Sequence, residues 1–308
     1  MDYFGILERS FAITRRYRVL WLFGFLLALF GAGSGVGNGV QYTFQGGEFP
    51  LQQFGAPPSI GILVILIVVM LIIALAIIAA VVNYVCQTAL IGLVGEIEEG
   101  KSPTVRHGFD VGWSRSALRL FGVDVVLAVP VILVVMFVVA LVAVTIALSM
   151  GNQGGSAGPA WILLICCLIF LVPVFIAAAV VLSILATFAY RQVVLAGDGV
   201  LDGIRHGYRL IRANLGPVAV MWLIMLLVGI LWAVVNLVLG FLAFAMVGGP
   251  AAFMYAIFRS GLAAVLGAIP FLVAAVVIFA AINALYTVFN SAVWTLTYLE
   301  LPERPVVS

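Results

Sequence analysis

The only two histidines of the chain stand in nearly matching settings, Arg106-His107-Gly108-Phe109 and Arg205-His206-Gly207-Tyr208. Paired imidazoles could relay protons, act as a pH switch or ligate a metal. A metal site fits poorly. An arginine beside each histidine repels a cation, and no matching cluster of His, Cys or carboxylates accompanies them. The flanking residues favour a structural role, the same joint used more than once. Ile204, Tyr208 and Ile211 recur at i, i+4 and i+7, which makes one apolar helix face, with Arg205, Arg209 and Arg212 elsewhere around it. Gly5–Arg18 mixes Ile6, Leu7, Phe11 and Ile13 with Arg9, Arg15, Arg16 and Arg18 in the same manner. Such helices are expected at headgroup level, aromatics turned inward and arginines on lipid phosphates. The expected anchors are Phe11, Arg15, Arg16, Arg106, Phe109, Arg205, Tyr208 and Arg212.

Other polar groups lie inside apolar runs. Asp124 is the one carboxylate in such a stretch, five residues past Arg119. An ionisable group at that depth is a functional candidate by default, and an ion pair with Arg119 or Arg191 is its bland alternative. Asn83 and Gln87 share a helix face, as do Ser183, Thr187 and Arg191. Asn283, Thr287 and Asn290 cluster with Ser291 further on. If the helices that carry these sets converged, they would line a polar cavity open to the cytoplasm. The competing expectation is interhelical hydrogen bonds worth about 0.6 kcal/mol each. Asn236 is expected to make a packing contact. Cys86, Cys166 and Cys167 fall in apolar runs and are expected as buried, unpaired thiols.

The elements that must hold these residues follow from composition. The chain is 65% hydrophobic and 8% charged, with a net charge of +2. Continuous apolar runs longer than about 18 residues indicate a polytopic helical membrane protein, since hydrocarbon leaves the backbone no other partner than itself. So small a charge gives no reason to expect a nucleic-acid partner. Six spans are expected, at Val19–Gly37, Ile60–Val94, Ala117–Met150, Pro159–Ala196, Leu215–Val247 and Gly261–Leu299. Of 14 basic residues, only Arg259 falls on the far side of this arrangement. The positive-inside rule then puts both termini in the cytoplasm of a cell-membrane protein. The outer loops, near Asn38–Ser59, Gly151–Gly158 and Gly248–Ser260, read as short connectors. The Gly31-Ala32-Gly33-Ser34-Gly35 stretch after the first apolar run also resembles a secretory cleavage site, but the internal periodicity makes that run part of the architecture.

That periodicity is close to 100 residues. Leu7-Glu8-Arg9-Ser10-Phe11 aligns with Val105-Arg106-His107-Gly108-Phe109 and with Ile204-Arg205-His206-Gly207-Tyr208. Asn83, Ser183 and Asn283 are 100 apart, as are Gln87, Thr187 and Thr287. Pro173 and Pro270 occupy similar places in the fourth and sixth spans. The expected fold is all-α, one transmembrane domain over residues 1–308. It is built of three related hairpins, about 1–100, 101–199 and 200–308, each preceded by a cytoplasmic amphipathic helix.

The stretch Tyr190-Arg191-Gln192-Val193-Val194-Leu195, followed by Gly203 to Leu215, resembles a bacterial pattern in which a returning span leads into a short amphipathic helix and then the next span. Arg18-Val19-Leu20-Trp21-Leu22-Phe23-Gly24 resembles the openings of the same proteins. These are poorly characterised six-span membrane proteins, similar to the membrane domain fused to some glycerophosphodiester phosphodiesterases. In those fusions a separate soluble domain carries the chemistry. The resemblance therefore transfers no catalytic residue, and with Ser308 close behind the last span no such domain is expected. The reading is a non-enzymatic membrane protein without a cofactor, an accessory or scaffold protein. It would hold anionic lipid headgroups, another membrane protein or a soluble cytoplasmic partner. The alternative is a transporter of lipid or small solute through the polar cavity.

Overall fold

Long runs of Val, Ile, Leu and Ala leave the backbone no polar partner but itself, and they fold as helices. The computed structural model describes residues 1–30, 58–151 and 158–302. Among the described residues the order is α1 (Tyr3–Arg16), α2 (Val19–Phe30), α3 (Pro58–Glu98), α4 (Val105–Gly112), α5 (Arg115–Gly151) and α6 (Gly158–Arg191). A π-helical turn (Gln192–Ala196), α7 (Val200–Ala213), α8 (Leu215–Phe258) and α9 (Gly261–Glu300) follow. Five helices, α3, α5, α6 with its π turn, α8 and α9, are long and apolar enough to cross a membrane. Their middles are uncovered by protein: Leu66 to Ile73, Leu133 to Phe137 and Leu226 to Leu231 are largely exposed. Apolar surface of that extent belongs in lipid. The chain is a helical, multi-pass membrane protein.

The end of the first expected span and the loops near Asn38–Ser59 and Gly151–Gly158 lie wholly or partly outside the described residues; α2 is apolar over its 12 residues. One expected loop is helix instead. α8 continues through Gly248, Gly249 and Pro250 to Phe258, and only Arg259 and Ser260 form the turn, Arg259 at φ 52°. The apolar run Ala251–Phe258 keeps the backbone helical, and a proline removes just one donor of the ladder. With 44 residues α8 is about 66 Å long. That is twice a hydrocarbon core of about 30 Å, so it tilts or projects.

The chain divides into two compact units, Met1–Ala117 with Gly216–Glu300, and Leu118–Leu215 with Leu301 and Pro302. In the first unit α2 packs on α3 and α9. Its Leu20, Phe23, Leu27 and Ala28 are buried, as are Leu90, Leu93 and Val94 of α3 and Val288 and Ala292 of α9. Close approach depends on Gly24, where a Cβ would lie 2.8 Å from the Ala284 carbonyl oxygen. In the second unit α7 packs on α6 and the π turn. Phe188, Ala189, Val193 and Leu210 are buried there with Leu120 and Val123 of α5.

Candidate functional site

Three short helices sit against the ends of long ones, and they do so with the same parts. α4 starts from Thr104, whose hydroxyl accepts from the His107 backbone N–H. Its glycines face the bundle. A Cβ on Gly108 would lie 2.6 Å from Phe23 Cζ and 2.9 Å from Leu93 Cδ1, and one on Gly112 would lie 2.6 Å from the Val85 carbonyl oxygen. The ring of Phe109 leans on Phe23 with centroids 5.1 Å apart. His107 Nε2 lies 3.0 Å from both carboxylate oxygens of Glu96, at the end of α3.

α7 uses the same plan. A Cβ on Gly203 would meet Val193 at 2.7 Å, and one on Gly207 the Ala189 backbone nitrogen at 3.2 Å. His206 Nδ1 lies 2.7 Å from Asp198 Oδ2. Gly197 takes a left-handed conformation, φ 75°, to turn the chain. Arg119 of α5 fixes that turn by donating to the carbonyls of Gly197 at 2.7 Å and Asp198 at 3.2 Å.

α1 packs on α9. Ser10, fully buried, holds the glycine's place. Arg9 holds the histidine's place, pairing with Glu300 at the end of α9 and with Glu98 at 3.0 Å. Trp21 Nε1 donates to the Thr14 carbonyl at 2.6 Å, which fastens α2 to α1. Each joint thus has a cationic or ionisable side chain, a small buried residue just after it, and a carboxylate from the end of a long helix (Glu96, Glu300) or from the turn that follows one (Asp198). Sequence reasoning aligned Arg9 with the two histidines but did not single out their acids. The signal was present: Glu96, Asp198 and Glu300 are spaced 102 residues apart.

The small residues make the closest protein contact; of the three aromatics only Phe109 leans on a protein ring among the described residues, that of Phe23. On α7 the buried residues are Gly203, Gly207 and Leu210, one position before the expected face of Ile204, Tyr208 and Ile211. Tyr208 is 54% exposed and Phe11 61%. Arg15, Arg16, Arg106, Arg205 and Arg212 are exposed as well.

The polar groups of the long helices have varied surroundings. In the first unit Asn283 is buried and engaged. Trp232 Nε1 donates to its carbonyl oxygen at 3.1 Å, and its amide donates to Asn236 at 3.0 Å and to the Phe279 carbonyl at 2.9 Å. Trp232 also stacks on Tyr286 at 5.0 Å. Asn236 and Asn283 thus join α8 to α9. Thr287 bonds back to the Asn283 carbonyl, and Asn83, Gln87 and Asn290 are half-buried. In the second unit Ser183 is exposed, and Thr187 donates to its carbonyl. Arg191 is buried and donates to the Thr187 carbonyl. Asp124 accepts from the Tyr190 hydroxyl, while Arg119 serves the turn at Gly197. The adjacent Gln192, missed by sequence reasoning, is fully buried at the first position of the π turn, and neither amide atom has a hydrogen-bond partner. Of the three free thiols, Cys86 is buried as expected. Cys166 and Cys167 are exposed instead, since among the described residues no other helix covers them.

No curated protein and no solved structure matches the chain. A family model described as a family of unknown function (DUF7544) matches residues 9–300. With almost the whole chain matched, the protein belongs to the DUF7544 family.

Proposed function

We propose that this is a non-enzymatic accessory or scaffold protein of the cytoplasmic membrane, with six spans, both termini cytoplasmic, and a cytoplasmic surface that holds lipids or a partner protein. The observation that carries the reading is the thrice-used joint. Each short helix is docked through a small residue and an acid contact, Ser10 with Arg9–Glu300, Gly108 with His107–Glu96, and Gly207 with His206–Asp198. Each leaves at least one arginine exposed, and α1 and α7 also leave an aromatic, Phe11 and Tyr208, mostly exposed. In this reading the joints are copies of one unit, α2 is the inner part of the first span, and the arginines lie at the cytoplasmic headgroups, in keeping with the positive-inside rule. Kinship with the membrane domains fused to phosphodiesterases belongs to the same proposal; it would make the chain a membrane module that serves chemistry performed elsewhere. Native mass spectrometry of the protein extracted in its own lipids tests it. A stoichiometric second polypeptide or a retained lipid class is the expected result. A bare chain with neither contradicts the reading.

One feature supports a transporter as the second reading. Buried amides are normally hydrogen-bonded, and π-helical turns often mark functional positions. Gln192 is an unpartnered buried amide in such a turn, next to the buried Arg191. A polar solute passing there would find a donor and an acceptor. A Gln192→Leu variant that folds normally yet loses uptake of a solute accumulated by wild-type cells would favour this reading. Unchanged uptake across a solute panel would count against it.

A further inference from the structure

The rotation of α7 about its axis is fixed, and this assigns each of its sides. At about 100° per residue, the buried Gly203, Gly207 and Leu210 centre on one direction. Arg205, Arg209 and Arg212 all lie within about 60° of the opposite direction. Ile204 and Ile211 fill the flank on one side, Tyr208 and Leu201 stand between that flank and the arginines, and Leu201 is 70% exposed. Asp202 and His206 fill the other flank, and His206 is held by Asp198. The order around the helix is therefore protein, apolar, cationic, acidic. In a chain that lives in a membrane, the apolar flank faces hydrocarbon and the acidic flank faces water. The arginines then lie at the boundary between them, where lipid phosphates are. Arg205, Arg209 and Arg212 are exposed and make no ion pair among the described residues.

We propose that this face of α7 is a binding site for anionic phospholipid, with Arg205, Arg209 and Arg212 on the headgroup phosphate and Leu201 and Tyr208 against the acyl chains. The proposal rests on the membrane-surface reading above and makes it selective. The three short helices are not equivalent. α4 offers only Arg106 on its corresponding side, with Asp110 on the same helix. α1 offers Arg15, with Arg16 beside it. Only α7 sets three guanidinium groups on one exposed side, which suits a multiply coordinated phosphate. The clamp by Arg119 and His206 has a function here. It holds the helix at one rotation, so that lipid contact requires no reordering.

The test uses the full chain, purified and presented with equal amounts of phosphatidylglycerol and phosphatidylcholine, with bound lipids counted by native mass spectrometry. Wild type is expected to retain phosphatidylglycerol at least five-fold over phosphatidylcholine. Arg205→Gln/Arg209→Gln/Arg212→Gln is expected to lose at least one bound phosphatidylglycerol. Arg106→Gln is expected to lose none. The variant Arg205→Lys/Arg209→Lys/Arg212→Lys carries as many changes but keeps the charge, and is expected to keep most of the enrichment, which separates lost binding from lost folding. Equal phosphatidylglycerol retention by wild type and the glutamine variant overturns the site, and so does equal loss in Arg106→Gln. Loss of a co-purified polypeptide rather than of lipid from the glutamine variant would assign the face to a protein and also overturn the site. A wild-type spectrum with neither lipid nor partner contradicts the broader reading, independently of the α7 comparison.

Discussion

At the residue scale, the glycines of the two histidine motifs matter more for architecture than the histidines. A side chain at Gly108 would enter the space of Phe23 and Leu93. Gly108→Leu is expected to destabilise the fold by about 1–3 kcal/mol, the usual cost of overpacking a filled site, read as earlier thermal unfolding in detergent. Gly216, where a Cβ meets nothing within 4 Å, should accept alanine without that loss. Asn283 gives a second prediction. Its replacement by leucine removes the acceptor of Trp232 and the donor to Asn236. Interhelical polar contacts average about 0.6 kcal/mol each, so a loss of roughly 1–2 kcal/mol is expected. Asn236→Leu breaks only one of the two and should cost less. Much of this was legible in the sequence, because Asn236 and Asn283 stand out in apolar runs. The partner Trp232 was not, since an indole in an apolar helix carries no mark of the bond it makes.

At the element scale, the short helices are joined to the long ones by packing more than by charge. Arg9 is 45% exposed and its acids are 34% and 28% exposed. Exposed pairs contribute about 0–1 kcal/mol. Arg9→Gln is therefore expected to shift stability by less than about 1 kcal/mol, while Ser10→Leu, on the fully buried side of the same helix, should shift it by more. Paired unfolding curves check the order, and the reverse order would contradict the packing account. The sequence showed where this short helix lies: the spacing of Ile204, Tyr208 and Ile211 falls inside α7, Val200–Ala213. It did not show its rotation. Hydrophobicity points to Ile204, Tyr208 and Ile211, but in a membrane protein an apolar residue gains as much from lipid as from protein. Close contact is left to the residues small enough to allow it. The same lack of contrast hid the length of α8, whose Gly248-Gly249-Pro250 reads as a loop in a chain with a polar exterior.

At the scale of the whole molecule, five long apolar helices and a sixth apolar segment, α2, alternate with short helices that carry most of the arginines. Long apolar runs made the helices that cross the membrane legible, because few chemical choices are open to a backbone in hydrocarbon; the short helices needed the residue spacing as well. The acids that hold the joints, Glu96, Asp198 and Glu300, stand 102 residues apart. In the proposed topology all three joints face the cytoplasm. Single cysteines at Arg15→Cys, Arg106→Cys, Arg209→Cys and Ser260→Cys, each in a chain whose three native cysteines are alanine, test it most directly with a membrane-impermeant maleimide on intact cells. Ser260→Cys is expected to be labelled from outside, and the other three only after permeabilisation. Labelling of any one of those three from outside, or of all four alike, would contradict that topology.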